Sequence, residues 1–314
     1  VNNNIRIVIV GAGNIAEEHI KAFSAQNSCD IVGIFSRTKS KAVRIADKYK
    51  ISNVADSIQG LAELSPDAVV IAVSVESTEA ICLQAIKYPW IILVEKPVGL
   101  NYHSANLILE NSIKFKSKLF VALNRRHYSS TLNAINILSC DSNNRFVTVN
   151  DQEDPILQIK SGMAPDLVKN LMYTNSIHLI DYFSIFCRGQ IEKIDIAESW
   201  NRGESNIVTA NIKFDSGDRG LYVALWDMPA PWSVSVVTKS INILMKPLEH
   251  IYIQEYGSRT NEKIEISQYD LSFKPGFFVQ AQNLIKAVKG EKHNLASMKE
   301  VIKTMKLIKD LYEI

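Results

Sequence analysis

The chain has 314 residues, 46% hydrophobic and 22% charged, with 35 Lys and Arg against 33 Asp and Glu for a net charge of +2. This length fits two domains of about 100–200 residues each, and the near-neutral charge argues against a nucleic acid or an anionic membrane as partner. The four cysteines, Cys29, Cys82, Cys140 and Cys187, show neither CxxC spacing nor a Cys/His cluster, so free thiols and no metal site are expected.

The first residues, Val-Asn-Asn-Asn-Ile-Arg, lack the marks of a secretory leader. No run of about 18 apolar residues follows, so no transmembrane helix is expected. A cytoplasmic location is the resulting expectation.

Residues 5–10 (IRIVIV) form a continuous apolar run, as in a strand buried on both faces of a parallel sheet. A helix is predicted over 14–26, a strand over 30–35, a helix over 39–49 and a short segment near Asn53–Val54. Strands at 67–73, 91–95 and 118–123 then alternate with helices at 77–87 and 102–115. This alternation predicts a doubly wound α/β domain of Rossmann type over residues 1–123.

The pattern changes in residues 124–314. Strands are expected at 145–151, 190–200, 206–214, 220–228, 232–238 and 241–246, several alternating polar and apolar residues. Turn-forming clusters at 215–220 and 228–231 separate some of them. Helices are predicted at 129–138, 174–187, 276–289 and 297–312. The second domain therefore reads as α+β, with a large, open, mostly antiparallel sheet. Its C-terminal helices are candidates to pack back on the first domain.

Gly11-Ala12-Gly13-Asn14-Ile15-Ala16 is a GxGxxA sequence directly after a buried strand. The first glycine permits a tight turn, the second lets backbone approach a pyrophosphate, and the small alanine allows close helix–strand packing. Gly11, Gly13, Asn14 and Ile15 are the expected dinucleotide contacts. A turn of purely structural purpose is the competing reading. At the end of the second predicted strand, Ser36-Arg37-Thr38 stands where an acidic residue would hold the ribose 2′-hydroxyl of NAD. Two hydroxyls and a guanidinium suit a 2′-phosphate, which predicts NADP as preferred cofactor and NAD as a possible one.

Glu95-Lys96-Pro97 follows the strand IILV, and the carboxyl ends of such strands are where ligands bind. These features resemble the Gfo/Idh/MocA family of oxidoreductases (glucose–fructose oxidoreductase, inositol dehydrogenase and rhizopine catabolism protein). The resemblance rests on VGAGNIAEEH (10–19), VEKPVGLN (94–101), ALNRRHYSS (122–130) and NSIHLIDYF (175–183). It implies hydride transfer between a nicotinamide and a hydroxyl or ketone carbon of a sugar, nucleotide sugar or sugar derivative. It further implies Glu95 and Lys96 beside the cofactor, Lys96 as the proton-handling group, and a homodimer or homotetramer formed through the second-domain sheet.

The sequence departs from the family at one point: Thr174 stands where an Asp commonly precedes the family histidine by four residues. A single helix here would put Thr174, Asn175, His178 and Asp181 on one face. His178 is then the candidate acid/base, with Asp181 able to orient its ring and Asn175 able to hold a substrate hydroxyl. Asn124, Arg125, Arg126 and Tyr173 complete the candidate substrate contacts, one arginine for an anionic group. The competing reading for the arginines is an interdomain salt bridge. His19 is expected to be structural or near the cofactor. A nicotinamide-binding sensor without turnover is the alternative function, motivated by Thr174.

Overall fold

The computed structural model describes residues 4–201, 205–230 and 232–314. Residues 1–3, part of the N-terminal reading, and Pro231, the last residue of the 228–231 turn, lie outside them.

The chain begins β1 (Ile5–Val10), α1 (Asn14–Ser24), β2 (Cys29–Phe35), α2 (Lys39–Tyr49), β3 (Val54–Ala55), α3 (Ile58–Ala62) and β4 (Ala68–Ile71). It continues α4 (Val75–Ala85), β5 (Ile91–Glu95), α5 (Tyr102–Lys114), β6 (Leu119–Ala122) and a 3-10 turn over Asn124–His127. Next come α6 (Ser129–Ser139), β7 (Phe146–Glu153), α7 (Pro155–Lys160), α8 (Pro165–Val168), α9 (Leu171–Thr174) and α10 (Ile177–Phe186). Seven strands follow: β8 (Ile191–Glu198), β9 (Ile207–Phe214), β10 (Arg219–Trp226), β11 (Ser233–Val237), β12 (Ile241–Met245), β13 (Ile251–Glu255) and β14 (Glu262–Ile264). The chain ends α11 (Gln268–Ser272), α12 (Phe277–Lys289), β15 (Ala296–Ser297) and α13 (Met298–Tyr312).

These elements make two compact units. The first runs to His127 and takes in Gln268–Ile302; the second holds Tyr128–Ser267 and Lys303–Ile314. The expected boundary at 123/124 lies four residues before the observed division. The returning segment 268–302, including α12, belongs to the first unit, and Lys303–Ile314 of α13 to the second.

Among the described residues, the first unit's sheet has the order β15-β6-β5-β4-β1-β2-β3. Its pairs are parallel except β15 with β6. Continuous burial of Ile7 to Val10 and of Ala68 to Ile71 explains why these runs are strands: both faces of the sheet are covered. In α12, Phe277, Ala281, Leu284 and Ile285 join the same core as Ile20 and Phe23 of α1.

The second unit's sheet has the order β14-β13-β12-β11-β7-β10-β9-β8; β7 and β10 pair in parallel and the other neighbours are antiparallel. One face is apolar and buried, with Val147 and Val149 on β7, Val208 and Ala210 on β9, and Val234 and Val236 on β11. Here α10 packs on β7 and β11, and α6 on β13. On the other face Leu221, Val223 and Leu225 of β10 are half-buried. This is the alternation that marks a sheet with one covered face.

The helix expected over 174–187 is observed as α10; its start is a correction, because Thr174 ends the separate helix α9 and the chain breaks at Asn175 (φ −132°, ψ −54°). Thr174 therefore does not share a continuous helical face with His178 and Asp181.

Candidate active site

The phosphate-binding turn is built by contact as much as by conformation. Gly11 has φ +119°, and a Cβ there would stand 2.0 Å from the Ala72 carbonyl oxygen. That carbonyl cannot move away cheaply, because the Ala72 N–H donates to the Val10 carbonyl at 2.8 Å. Gly13 is different. It is the N-cap of α1, brings no side-chain cap, and a Cβ on it would meet nothing within 4 Å. The open space lies where the N–H groups and dipole of α1 favour an anion. The turn has the form a dinucleotide pyrophosphate needs, and Gly11, Gly13, Asn14 and Ile15 are the residues that could hold it.

At the end of β2, Ser36 is half-buried and its Oγ accepts the Thr38 N–H at 3.4 Å; Arg37 and Thr38 are exposed. One acid was overlooked by sequence reasoning. The pairing of Phe35 with Ala55 brings Asp56 alongside, where it forms an exposed ion pair with Lys39 at 2.7 Å. Its signal was available only through the β2–β3 pairing.

Lys96 follows β5, two strands from β1 in the same sheet. Two strand spacings put the ends of β1 and β5 about 10 Å apart along one carboxyl edge. The Lys96–Pro97 peptide is cis. Glu95 is engaged within the protein: Oε1 accepts from His19 Nε2 at 2.7 Å, and Oε2 accepts the Lys96 backbone N–H at 3.2 Å. His19 is 1% exposed and lies 4.7 Å from the Phe277 ring. Glu95 thus ties the start of the lysine loop to α1, the helix that begins at the phosphate turn.

Asn124 is buried and its side-chain amide donates to the Pro275 carbonyl at 3.0 Å. Arg125 is half-buried. Arg126 pairs with Glu300 at 3.3 Å, inside the first unit. Burial pushes the Glu300 carboxyl up, but hydrogen bonds from Ser297 and the Arg126 charge outweigh it and hold it below its ordinary value. His127, passed over in the sequence, is 1% exposed; burial first, then the Arg126 charge, push its imidazole down to about 3.

In the second unit, Tyr173, Thr174 and His178 are buried and Asn175 is half-buried. Asp181 Oδ1 accepts from Thr304 Oγ1 at 3.0 Å. Two acids missed in the sequence share the inward face of β7. Asp151 accepts from Tyr222 Oη at 2.8 Å. Glu153 accepts from Asn175 Nδ2 and Ser176 Oγ, each at 3.0 Å. The Asn175 amide is thus used within the protein. Both acids are 1% exposed, and the only sequence signal was their position in the alternation of β7. Among the described residues, no group of three or more His, Cys, Asp or Glu is arranged to hold a metal ion, and no helix is long and apolar enough to cross a membrane.

Residues 5–123 match the family GFO_IDH_MocA, described as an oxidoreductase family with an NAD-binding Rossmann fold. Over these residues, under two fifths of the chain, the protein is similar to the NAD-binding Rossmann domain of that oxidoreductase family. Oxidoreductase P35 of Formosa agariphila is 30% identical over 120 residues, covering 38% of this chain and 37% of that protein. Inositol 2-dehydrogenase of Rhizobium meliloti is 28% identical over 135 residues, covering 42% of this chain and 40% of that one. The chain's matches thus span about two fifths of these relatives' lengths. The fold of the whole chain is similar to that of a UDP-N-acetylglucosamine 3-dehydrogenase from Acidithiobacillus ferrooxidans, at a TM-score of 0.80, 12% identity, and 99% and 97% coverage of the two chains. At that identity the likeness speaks for the fold alone.

Proposed function

We propose that this chain is a Gfo/Idh/MocA oxidoreductase, an NADP(H)-preferring dehydrogenase acting on a hydroxyl or ketone carbon of a sugar, nucleotide sugar or sugar derivative. The observation that carries the reading is the shared carboxyl edge of the first sheet. It joins a turn that excludes a side chain at Gly11 and leaves space at Gly13 to a lysine fastened by Glu95 at the end of β5. A bound nicotinamide supplies the hydride acceptor or donor. The chain's own residues do the rest. The turn and the first N–H groups of α1 bind the pyrophosphate, and Ser36, Arg37 and Thr38 receive the 2′-phosphate.

Lys96 handles the proton at the reacting oxygen, and His178 acts with it or orients the substrate. Arg125 and Tyr173 hold the remaining hydroxyl or anionic groups; Asn124 and Asn175, whose amides are bonded to Pro275 and Glu153, and Arg126, paired with Glu300, do so less readily. The substrate names of the relatives suggest the panel: myo-inositol, glucose 6-phosphate and UDP-N-acetylglucosamine, each with both cofactors. With the active sugar, Lys96→Met is expected to lower turnover roughly 10²–10⁴-fold and to leave NADPH affinity unchanged. Near-normal turnover in that variant sinks the role of Lys96.

A further inference from the structure

Residues 171–186 contain neither glycine nor proline, but the run Thr174-Asn175-Ser176 is weak in helix propensity and favours caps, so the sequence permits a break here without fixing its place. The place of the break at Asn175 therefore needs a fixing contact. Glu153, the last residue of β7, supplies one. Its side chain is on the inward face set by the alternation Val147, Val149, Asp151, Glu153, and it is 1% exposed. A buried carboxylate is costly unless its oxygens are bonded. Here one oxygen takes the Asn175 amide and the other the Ser176 hydroxyl, both at 3.0 Å. Charge-assisted bonds of this kind are short and directional. Two consecutive residues are thereby held to one point on the sheet.

The backbone carries that constraint to His178. The His178 N–H donates to the Asn175 carbonyl at 3.2 Å, and the Leu179 and Ile180 N–H groups donate to the Ser176 carbonyl at 2.9 and 3.0 Å. His178 is the second residue of α10, so the place of the break sets its direction about the helix axis. In a helix each residue turns by about 100°, so a shift of the break by one residue points the imidazole elsewhere. Farther along, Thr304 bonded to Asp181 fastens the next turn of α10.

We infer that Glu153 is a positioning residue for His178: its carboxylate fixes the place of the break between α9 and α10 and thereby aims the imidazole. The catalytic meaning of this rests on the proposed role of His178; the positioning itself does not. The test uses the full chain with NADP⁺, labelled with ¹⁵N-histidine. The His178 imidazole resonances are assigned by their loss in His178→Gln, and the five other histidines are internal controls.

Glu153→Leu is expected to shift the His178 resonances, and Glu153→Gln, which keeps an acceptor oxygen, to shift them less. With the sugar turned over in the panel above, Glu153→Leu should lower kcat roughly tenfold or more with little change in the KM for NADPH. Its effect should vanish in the His178→Gln background. Should Glu153→Leu not fold, Asn175→Ala and Ser176→Ala each remove one donor and should each shift His178. Unmoved His178 resonances, or losses in turnover that simply add to those of His178→Gln, overturn the inference. Normal turnover in His178→Gln instead overturns the catalytic role of His178, while a shifted resonance in Glu153→Leu still upholds the positioning.

Discussion

At the end of β2, where the cofactor's ribose end is proposed to lie, stand two hydroxyls and a guanidinium, and Asp56 of the neighbouring strand end is paired with Lys39 at 2.7 Å. An exposed pair of this kind stabilises the fold little, about 0–1 kcal/mol, but it offsets the charge that would repel a 2′-phosphate. Arg37, which is exposed, is then the residue on which the proposed discrimination turns. Arg37→Glu should weaken NADPH binding by about tenfold or more, the worth of one charge-assisted contact, and leave NADH binding nearly unchanged. Calorimetric titration of both cofactors measures this, and tighter NADH than NADPH binding by the unaltered protein defeats the proposed preference. The glycine turn and the place of Lys96 after β5 were legible because both depend on local sequence beside a buried strand. Glu153, Asp56 and His127 were not, since each acquires its surroundings from chain that is distant in sequence or from burial that one residue type does not announce.

The β1–turn–α1 element separates two uses of glycine. At Gly11 a methyl collides with backbone and the φ of +119° disfavours any side chain. Gly11→Ala should therefore cost about 3 kcal/mol or more in stability. At Gly13, φ is −92° and the space is open. Gly13→Ala should change stability by no more than about 0.5 kcal/mol, yet weaken NADPH binding roughly tenfold or more, because the methyl stands where the pyrophosphate approaches. Urea unfolding and cofactor titration of both variants separate these effects; equal losses of stability would contradict the assignment. The same element was read correctly in the sequence, since a strand buried on both faces is a continuous apolar run. The start of the helix expected over 174–187 was misplaced for the opposite reason: the break before it is fixed by a carboxylate more than 20 residues earlier, which no local periodicity contains. The short helices α7 and α8 and the strands β13 and β14 escaped because each is too brief to establish a period of its own.

At the scale of the whole molecule, the chain leaves its first unit at His127 and returns to it at Gln268, so residues near this crossing bear on how acid acts on the fold. His127 ends the outgoing stretch, buried, with its imidazole pushed down to about 3 by desolvation and then by Arg126. The unfolded chain takes up a proton near the ordinary value of about 6.5, whereas the folded chain refuses it until about pH 3. Between those limits the unfolded state holds more protons, so stability rises with pH and falls on acidification, by up to about 1.4 kcal/mol per pH unit for one such group. Burial lowers His293 in the same direction. Asp218 acts later. Burial raises its carboxyl, but hydrogen bonds from Arg188 and from the Arg145 and Arg188 backbone N–H groups bring it below its ordinary 3.8, and the stability it contributes is lost only as pH falls beneath that value. A window from pH 6.5 to 5.5 is therefore dominated by the buried histidines, because carboxyls held below 4.5, such as Glu300, add to the slope only at lower pH. His127→Gln, which cannot be protonated, should show a shallower loss of urea-unfolding stability across that window than the unaltered chain, whatever its stability at pH 7. An identical slope in the two proteins would mean that His127 takes up its proton in the folded state as readily as in the unfolded one, and the acid sensitivity of the fold would have to come from other groups.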